Sequence, residues 1–235
     1  GRIPCMADRD MTREVLENSF FKHLGYQTHV LKEPDTSAVG NWQREATRFA
    51  PGLRVLVHHG HERQSGVEFL AAAAAHDLVI STYSLLYREA ALEVIPAAKA
   101  AGMGIIVGSP LQQGALARRY DEQLKSPAAY WVSQMRREQF QKLYAFSDEC
   151  GLSLPELGIR FVLSHPDIHC VLMGAKSAAE VEQNAAAANA GPLPADLLKR
   201  LDEIAALVPY RPFGEPFGIG WFLGNPGNYK GQGQG

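Results

Sequence analysis

Short apolar runs alternate with longer stretches of helical period along this chain. "QTHVL" (27–31), "LRVLVHH" (53–59), "DLVISTY" (77–83), "MGIIVGS" (103–109) and "HCVLMG" (169–174) read as buried strands. Between them, "NWQREATRFA", "GVEFLAAAAAH", "REAALEVIPAAKAAG" and "SQMRREQFQKLYAFSDECG" are compatible with helices that end near a glycine or proline. Strand, helix, strand repetition builds parallel βαβ units, so the expected fold class is α/β with helices on a parallel sheet. At most five strands are legible, a substantial piece of a sheet but short of the eight that close a (β/α)8 barrel.

Two segments fall outside this alternation. Residues 1–36 mix charged and apolar groups around one helix-compatible stretch, "TREVLENSFFKHLG". The end, "YRPFGEPFGIGWFLGNPGNYKGQGQG", is rich in glycine, proline and aromatics and reads as an irregular arm. Trp221 and Phe222 in that arm either line a substrate pocket or pin the arm onto the domain.

Composition narrows the picture. With 235 residues, 46% of them hydrophobic and 20% charged, the chain can bury a substantial core. A formal net charge of -2 gives no general attraction to nucleic acid or to an anionic membrane, which argues against a nucleic-acid partner. Cys5, Cys150 and Cys170 are far apart and odd in number, so they form neither a disulfide framework nor a zinc-type pair. A reducing, cytoplasmic setting is the expectation. No apolar run approaches the roughly 18 residues of a membrane span. "GRIPCMADRDMTRE" carries charges where a signal peptide needs its apolar region, so no address is expected there.

The candidate chemistry lies where two of these strands end. In "IIVGSPLQQGAL" (105–116) the strand stops at Gly108, Ser109 and Pro110, and Gly114 lets the chain bend closely, so backbone N–H groups could face a phosphate. In "MGAKSAAEVEQN" (173–184) Gly174 permits close approach, Ser177 can cap a helix beginning near Ala178, and Lys176 puts a cation beside that helix start. The same pattern also serves ordinary helix capping with a solvated lysine, and the residues alone leave both readings open.

Taken together, "YSLLYREAALEVIPAAKAAGMGIIVGSPLQQGAL" and "LPELGIRFVLSHPDIHCVLMGAKSAAEVEQNAAAANAGPLPADLLKRLDEI" resemble the second half of an aldo-keto reductase, over about residues 77–212. The resemblance implies a partial, C-terminal half of a (β/α)8 TIM-barrel-like fold, in which these strands are barrel strands six to eight and NADP(H) lies across their C-terminal ends. It places Ser109 and Leu111 beside the pyrophosphate, Lys176 and Ser177 at the adenosine 2'-phosphate, and Asn184 at the adenine. Glu180 stands where the family usually has glutamine and Gln183 where it usually has glutamate, two departures on the adenosine side. On the nicotinamide side, Gly108 replaces a frequent stacking tyrosine, and Ile80 a frequent glutamine. Lys176 replaces a frequent arginine, keeping the charge but losing the planar fork. The implied cofactor is NADP(H) and the implied substrate a small carbonyl or alcohol. The domains expected are an N-terminal α/β region (1–76), the half barrel (77–212) and a Gly/Pro-rich arm (213–235), with open sheet edges through which a second copy could pair.

A carbonyl reductase also needs a proton donor, and a tyrosine serves only if a nearby cation lowers its pKa. The family's Asp, Tyr, Lys and His set comes from the first half of its barrel, and residues 1–76 do not reproduce those motifs; no catalytic residue is assigned. His58, His59 and His61 in "VLVHHGHE" follow an apolar run as the family histidine does, and they also read as solvated loop histidines. No carboxylate or cysteine completes a metal-ligand set with them. Residues 36–89, with "TS", "NWQRE" and "DLVISTYSLL" in order, instead resemble a segment of Swi/Snf-type helicase-like ATPases. Neither a phosphate loop nor an Asp-Glu motif flanks that segment, so ATP hydrolysis is not expected of it. The alternative function is therefore a non-catalytic nucleic-acid or protein binding module, and the two resemblances in one chain read as a fused or misassembled gene or as an artificial chimera.

Overall fold

The computed structural model of the protein describes residues 38–58, 63–212, 214–216 and 218–228. The strand expected at 27–31, the helix-compatible stretch in 1–36, and His59 and His61 lie outside these residues. Within them the order is α1 (Ala38–Phe49), β1 (Val55–His58), α2 (Gly66–Ala74), β2 (Leu78–Thr82), α3 (Val94–Ala100), β3 (Gly104–Gly108), α4 (Asp121–Lys125), α5 (Gln134–Cys150), α6 (Leu154–Leu163), β4 (Cys170–Val171), α7 (Ala178–Asn189), α8 (Ala195–Ala205) and α9 (Ile219–Gly224).

The four strands form one all-parallel sheet in chain order, β1-β2-β3-β4. Val55 pairs with Leu78, Leu78 with Gly104, and Ile106 with Cys170. This register puts Leu56, Val79, Ile105, Val107 and Val171 on one face, where they join the main apolar core. That core also takes Phe69 of α2, Ile95 of α3, Phe140 and Leu143 of α5, and Leu157 and Phe161 of α6. Val57, Ile80, Ile106 and Cys170 alternate onto the opposite face. In β2 the consecutive residues Val79, Ile80 and Ser81 are all buried, as expected of a parallel strand covered on both faces. The result is the α/β parallel sheet that the alternating pattern implied, and it is consistent with the partial barrel-like fold that the resemblance implied.

Strand β1 comes from the segment ahead of residue 77 yet pairs with β2 along its whole length. Arg54 and Asp77 fix that pairing at its start. The Asp77 carboxylate accepts from the Arg54 backbone N–H and Nε, both at 2.9 Å, and from a guanidinium terminal N–H at 2.7 Å. These donors hold the Asp77 pKa below the usual carboxylate range.

Strand β4 is shorter than its sequence suggests. Its ladder continues only as far as Leu172, whose N–H donates to Val107 O at 2.8 Å. Gly108 O is taken from the other side by Tyr83 N–H at 3.4 Å, and the chain then turns away at Ser109 with a positive φ of 58°.

The arm after residue 212 is not irregular throughout. Ile219 and Leu223, one helical turn apart, are fully buried and anchor the short helix α9. Glycine at 220 is what allows that helix to abut the rest of the protein: a Cβ there would lie 1.9 Å from the Ala115 amide nitrogen.

Candidate functional site

The loops after β3 and β4 leave the sheet side by side, because Val107 pairs with Val171 just before each chain departs. The first, 109–117, is a chain of tight turns. Positive φ angles occur at Ser109 (58°), Gln112 (47°), Gln113 (50°) and Gly114 (94°), a concentration of sparsely populated conformations that the surroundings must hold in place. The amides of Gln112, Gly114, Ala115, Leu116 and Ala117 donate to carbonyls within the turn. The amides of Ser109 and Leu111 take no part in those bonds.

The turn is clamped from two directions. Gly158 of α6 lies so close that a Cβ there would be 3.0 Å from Leu111 Cδ2 and 3.3 Å from Pro110 O. Gly220 of α9 presses on Gly114 and Ala115 from the arm. Buried Gln112 accepts from Ser84 Oγ at 2.8 Å, and Ser84 Oγ accepts from the Tyr87 amide at 3.1 Å, tying the turn to the loop after β2.

Behind this lies a buried polar chain that the sequence reading missed. Tyr87 donates its hydroxyl to Glu215, which pairs with both Nε (3.0 Å) and a terminal nitrogen (2.9 Å) of Arg136; Arg136 and Glu215 are both fully buried. Arg136 also donates to Gln139, whose amide reaches the carbonyls of Ile204 (3.2 Å) and Ala205 (3.3 Å). One signal was available: Arg136 shares the helical period of buried Phe140 and Leu143, and an arginine on an apolar stripe needs a buried carboxylate.

The second loop is built differently. Ser177 caps α7 by accepting from the Glu180 amide at 3.2 Å, as its spacing suggested. Glu180 reaches back, its carboxylate accepting from the Lys176 amide at 2.7 Å. Gly174, Lys176, Ser177, Glu180 and Gln183 are exposed, and Asn184 is half-buried. A Cβ at Gly174 would meet no atom within 4 Å, so the backbone there is open to a ligand. Gln183 lines a groove of about 610 Å³ between α7 and Ala117–Arg119, with Ala186 and Ala187 beside it. Lys176, Ser177 and Asn184 lie outside that groove.

A model of the family described as "Aldo/keto reductase family" matches residues 71–206, more than half of the chain. The chain belongs to the aldo/keto reductase family. This aldo/keto reductase chain is 32% identical over 135 residues to D-threo-aldose 1-dehydrogenase of a Pseudomonas species, covering 56% of the chain and 40% of that protein. It is 28% identical over 128 residues to the uncharacterized oxidoreductase YrpG of Bacillus subtilis, covering 52% and 38%. It therefore spans less than half the length of these relatives. It is also 35% identical, over an alignment of 91 positions that covers 36% of the chain and 10% of the other protein, to one named as an ATP-dependent helicase/translocase, YwqA, of Bacillus subtilis. Both resemblances seen in the sequence thus reappear.

Three tyrosines of this family member, Tyr83, Tyr87 and Tyr144, do not have the environment of a proton donor. Burial raises the pKa of Tyr83 and of Tyr87, and pushes Tyr144 up to about 12, the opposite of what a general acid requires. The Tyr87 hydroxyl is in addition committed to Glu215. His58 is buried rather than solvated, its Nε2 2.9 Å from Gln64 O and its ring edge-on to Phe69 at 4.9 Å, which is a packing role. Trp221 stays half exposed while Phe222 packs edge-to-face on Trp131 at 6.1 Å, so the pair pins the arm. Among the described residues no His, Cys, Asp and Glu cluster could hold a metal ion, and no helix is long and apolar enough to cross a membrane.

Proposed function

We propose that the chain carries the cofactor-holding side of an aldo/keto oxidoreductase and binds a nicotinamide dinucleotide across the C-terminal ends of β2 to β4. The observation that carries this reading is the adjacency of the two loops, fixed by the pairing of Val107 with Val171. In this reading the uncommitted amides of Ser109 and Leu111 meet the pyrophosphate, and the open backbone at Gly174 lets it pass. Lys176 and Ser177 lie at the adenosine ribose, and Gln183 offers a polar edge to an adenine in the groove beside Ala117–Arg119. Gly114 contributes the bend rather than a contact, since its amide is used within the turn. When bound, the cofactor supplies hydride for exchange with a carbonyl or alcohol. The residues of this chain orient it, and no proton donor is assigned among them.

Titration of the purified protein with NADH and with NADPH, followed by cofactor fluorescence, tests the reading. Saturable binding below about millimolar concentration is expected for at least one of them. Gly174→Ala should leave the melting temperature unchanged, because there is room for the methyl group, and should weaken binding at least about tenfold by closing the cofactor's path. Equal binding by the variant would remove Gly174 from the site.

A further inference from the structure

The corner assigned to the adenosine ribose does not suit a 2'-phosphate. An anion at a helix start draws on N–H groups and a local positive charge. Here the chain has placed its own carboxylate there: Glu180 accepts from the Lys176 amide at 2.7 Å while its own amide donates to Ser177 Oγ at 3.2 Å. Glu180 thereby engages both residues that would meet a phosphate, taking the Lys176 backbone amide with its carboxylate and the Ser177 hydroxyl with its own amide. Charge points the same way. Residues 172–189 contain one cation, Lys176, against two carboxylates, Glu180 and Glu182.

We propose that Glu180 makes this site select a cofactor with a free 2'-hydroxyl, NAD(H), over one with a 2'-phosphate, NADP(H). A ribose hydroxyl is a donor, and a carboxylate is the acceptor that rewards it. A 2'-phosphate brings up to about two negative charges and no comparable donor, so it must displace Glu180 or sit against it. Even in water-like surroundings, like charges at contact distance cost roughly a factor of ten in affinity. The proposal rests on the dinucleotide reading above and sharpens it to one cofactor.

The test compares four ligands on the whole chain: NADH and NADPH by fluorescence, and ADP-ribose and 2'-phospho-ADP-ribose by calorimetry. The last pair reads the adenosine end without any contribution from the nicotinamide. The unphosphorylated member of each pair should bind at least about tenfold more tightly. Glu180→Gln keeps an acceptor for the Lys176 amide and removes only the charge. It should narrow the gap by about the same factor, mainly by tightening the phosphorylated ligand. Equal or tighter binding of the phosphorylated ligands by the unaltered protein overturns the proposal while leaving the dinucleotide reading standing, as does an unchanged ratio in Glu180→Gln. No saturable binding of any of the four overturns both.

Discussion

The two loops of the candidate site reach the same edge of the sheet by opposite routes. The 109–117 turn is held from outside: α6 and α9 press on it through Gly158 and Gly220, and Gln112 is buried against Ser84. The 173–184 segment is held from within, by the exchange between Ser177 and Glu180 at the start of α7, with most of its side chains in solvent. The first can keep four residues at positive φ because distant parts of the chain bear the cost. The second stays in ordinary conformations and needs only its neighbours in sequence. A site assembled this way has one wall set by tertiary packing and one set by local capping, and the two walls should fail under different insults.

The largest expected effect is on the packed wall. Glu215→Gln leaves the guanidinium of Arg136 buried without its carboxylate, at a cost of about 3–5 kcal/mol in unfolding free energy, measured by urea titration. Next is Gly220→Ala, where the new methyl meets backbone rather than a movable side chain. A loss of about 3 kcal/mol is expected, with hydrogen exchange rising at 109–117 and not at 178–189.

Alkaline pH should act on the same wall. Tyr83, Tyr87 and Tyr144 have folded-state pKa values raised by burial, so their protonated forms add stability that is intact below about pH 10 and is lost as pH rises toward the folded values. Each pH unit above about 10 costs up to about 1.4 kcal/mol per tyrosine that stays protonated. Thermal melts between pH 9 and 11 measure the slope, and a flat profile would contradict the burial of these hydroxyls. The smallest effect belongs to the locally built wall. Ser177→Ala removes the cap of α7 and should cost about 1 kcal/mol, seen as faster exchange confined to the first turn of that helix.

The same division explains what could be read from the sequence. The capped start of α7 needs only residues 176–180, and it was legible down to the serine. The central strands β2 and β3 were equally plain, because continuous apolar runs are what a sheet covered on both faces demands. The packed wall was opaque. Glu215 meets Arg136 across 79 residues and Tyr87 across 128, and nothing local to "FGEPFG" announces a buried carboxylate. The arm was read as irregular from its glycines, although one of them is a requirement of contact with Ala115 rather than of flexibility. His58 failed for a related reason: its burial depends on Phe69, which lies on another element.

Strand β2 has a consequence of its own. It lies in the stretch "DLVISTYSLL", whose wording suits two unrelated α/β families, and it accepts β1 on one side and β3 on the other through backbone bonds that are indifferent to side-chain identity. Such a strand is a universal coupling. Any strand and helix that arrive parallel and in register can take the place of β1 on that side without redrawing the loops after β3 and β4, so the sheet can exchange a neighbour while the candidate site keeps its address.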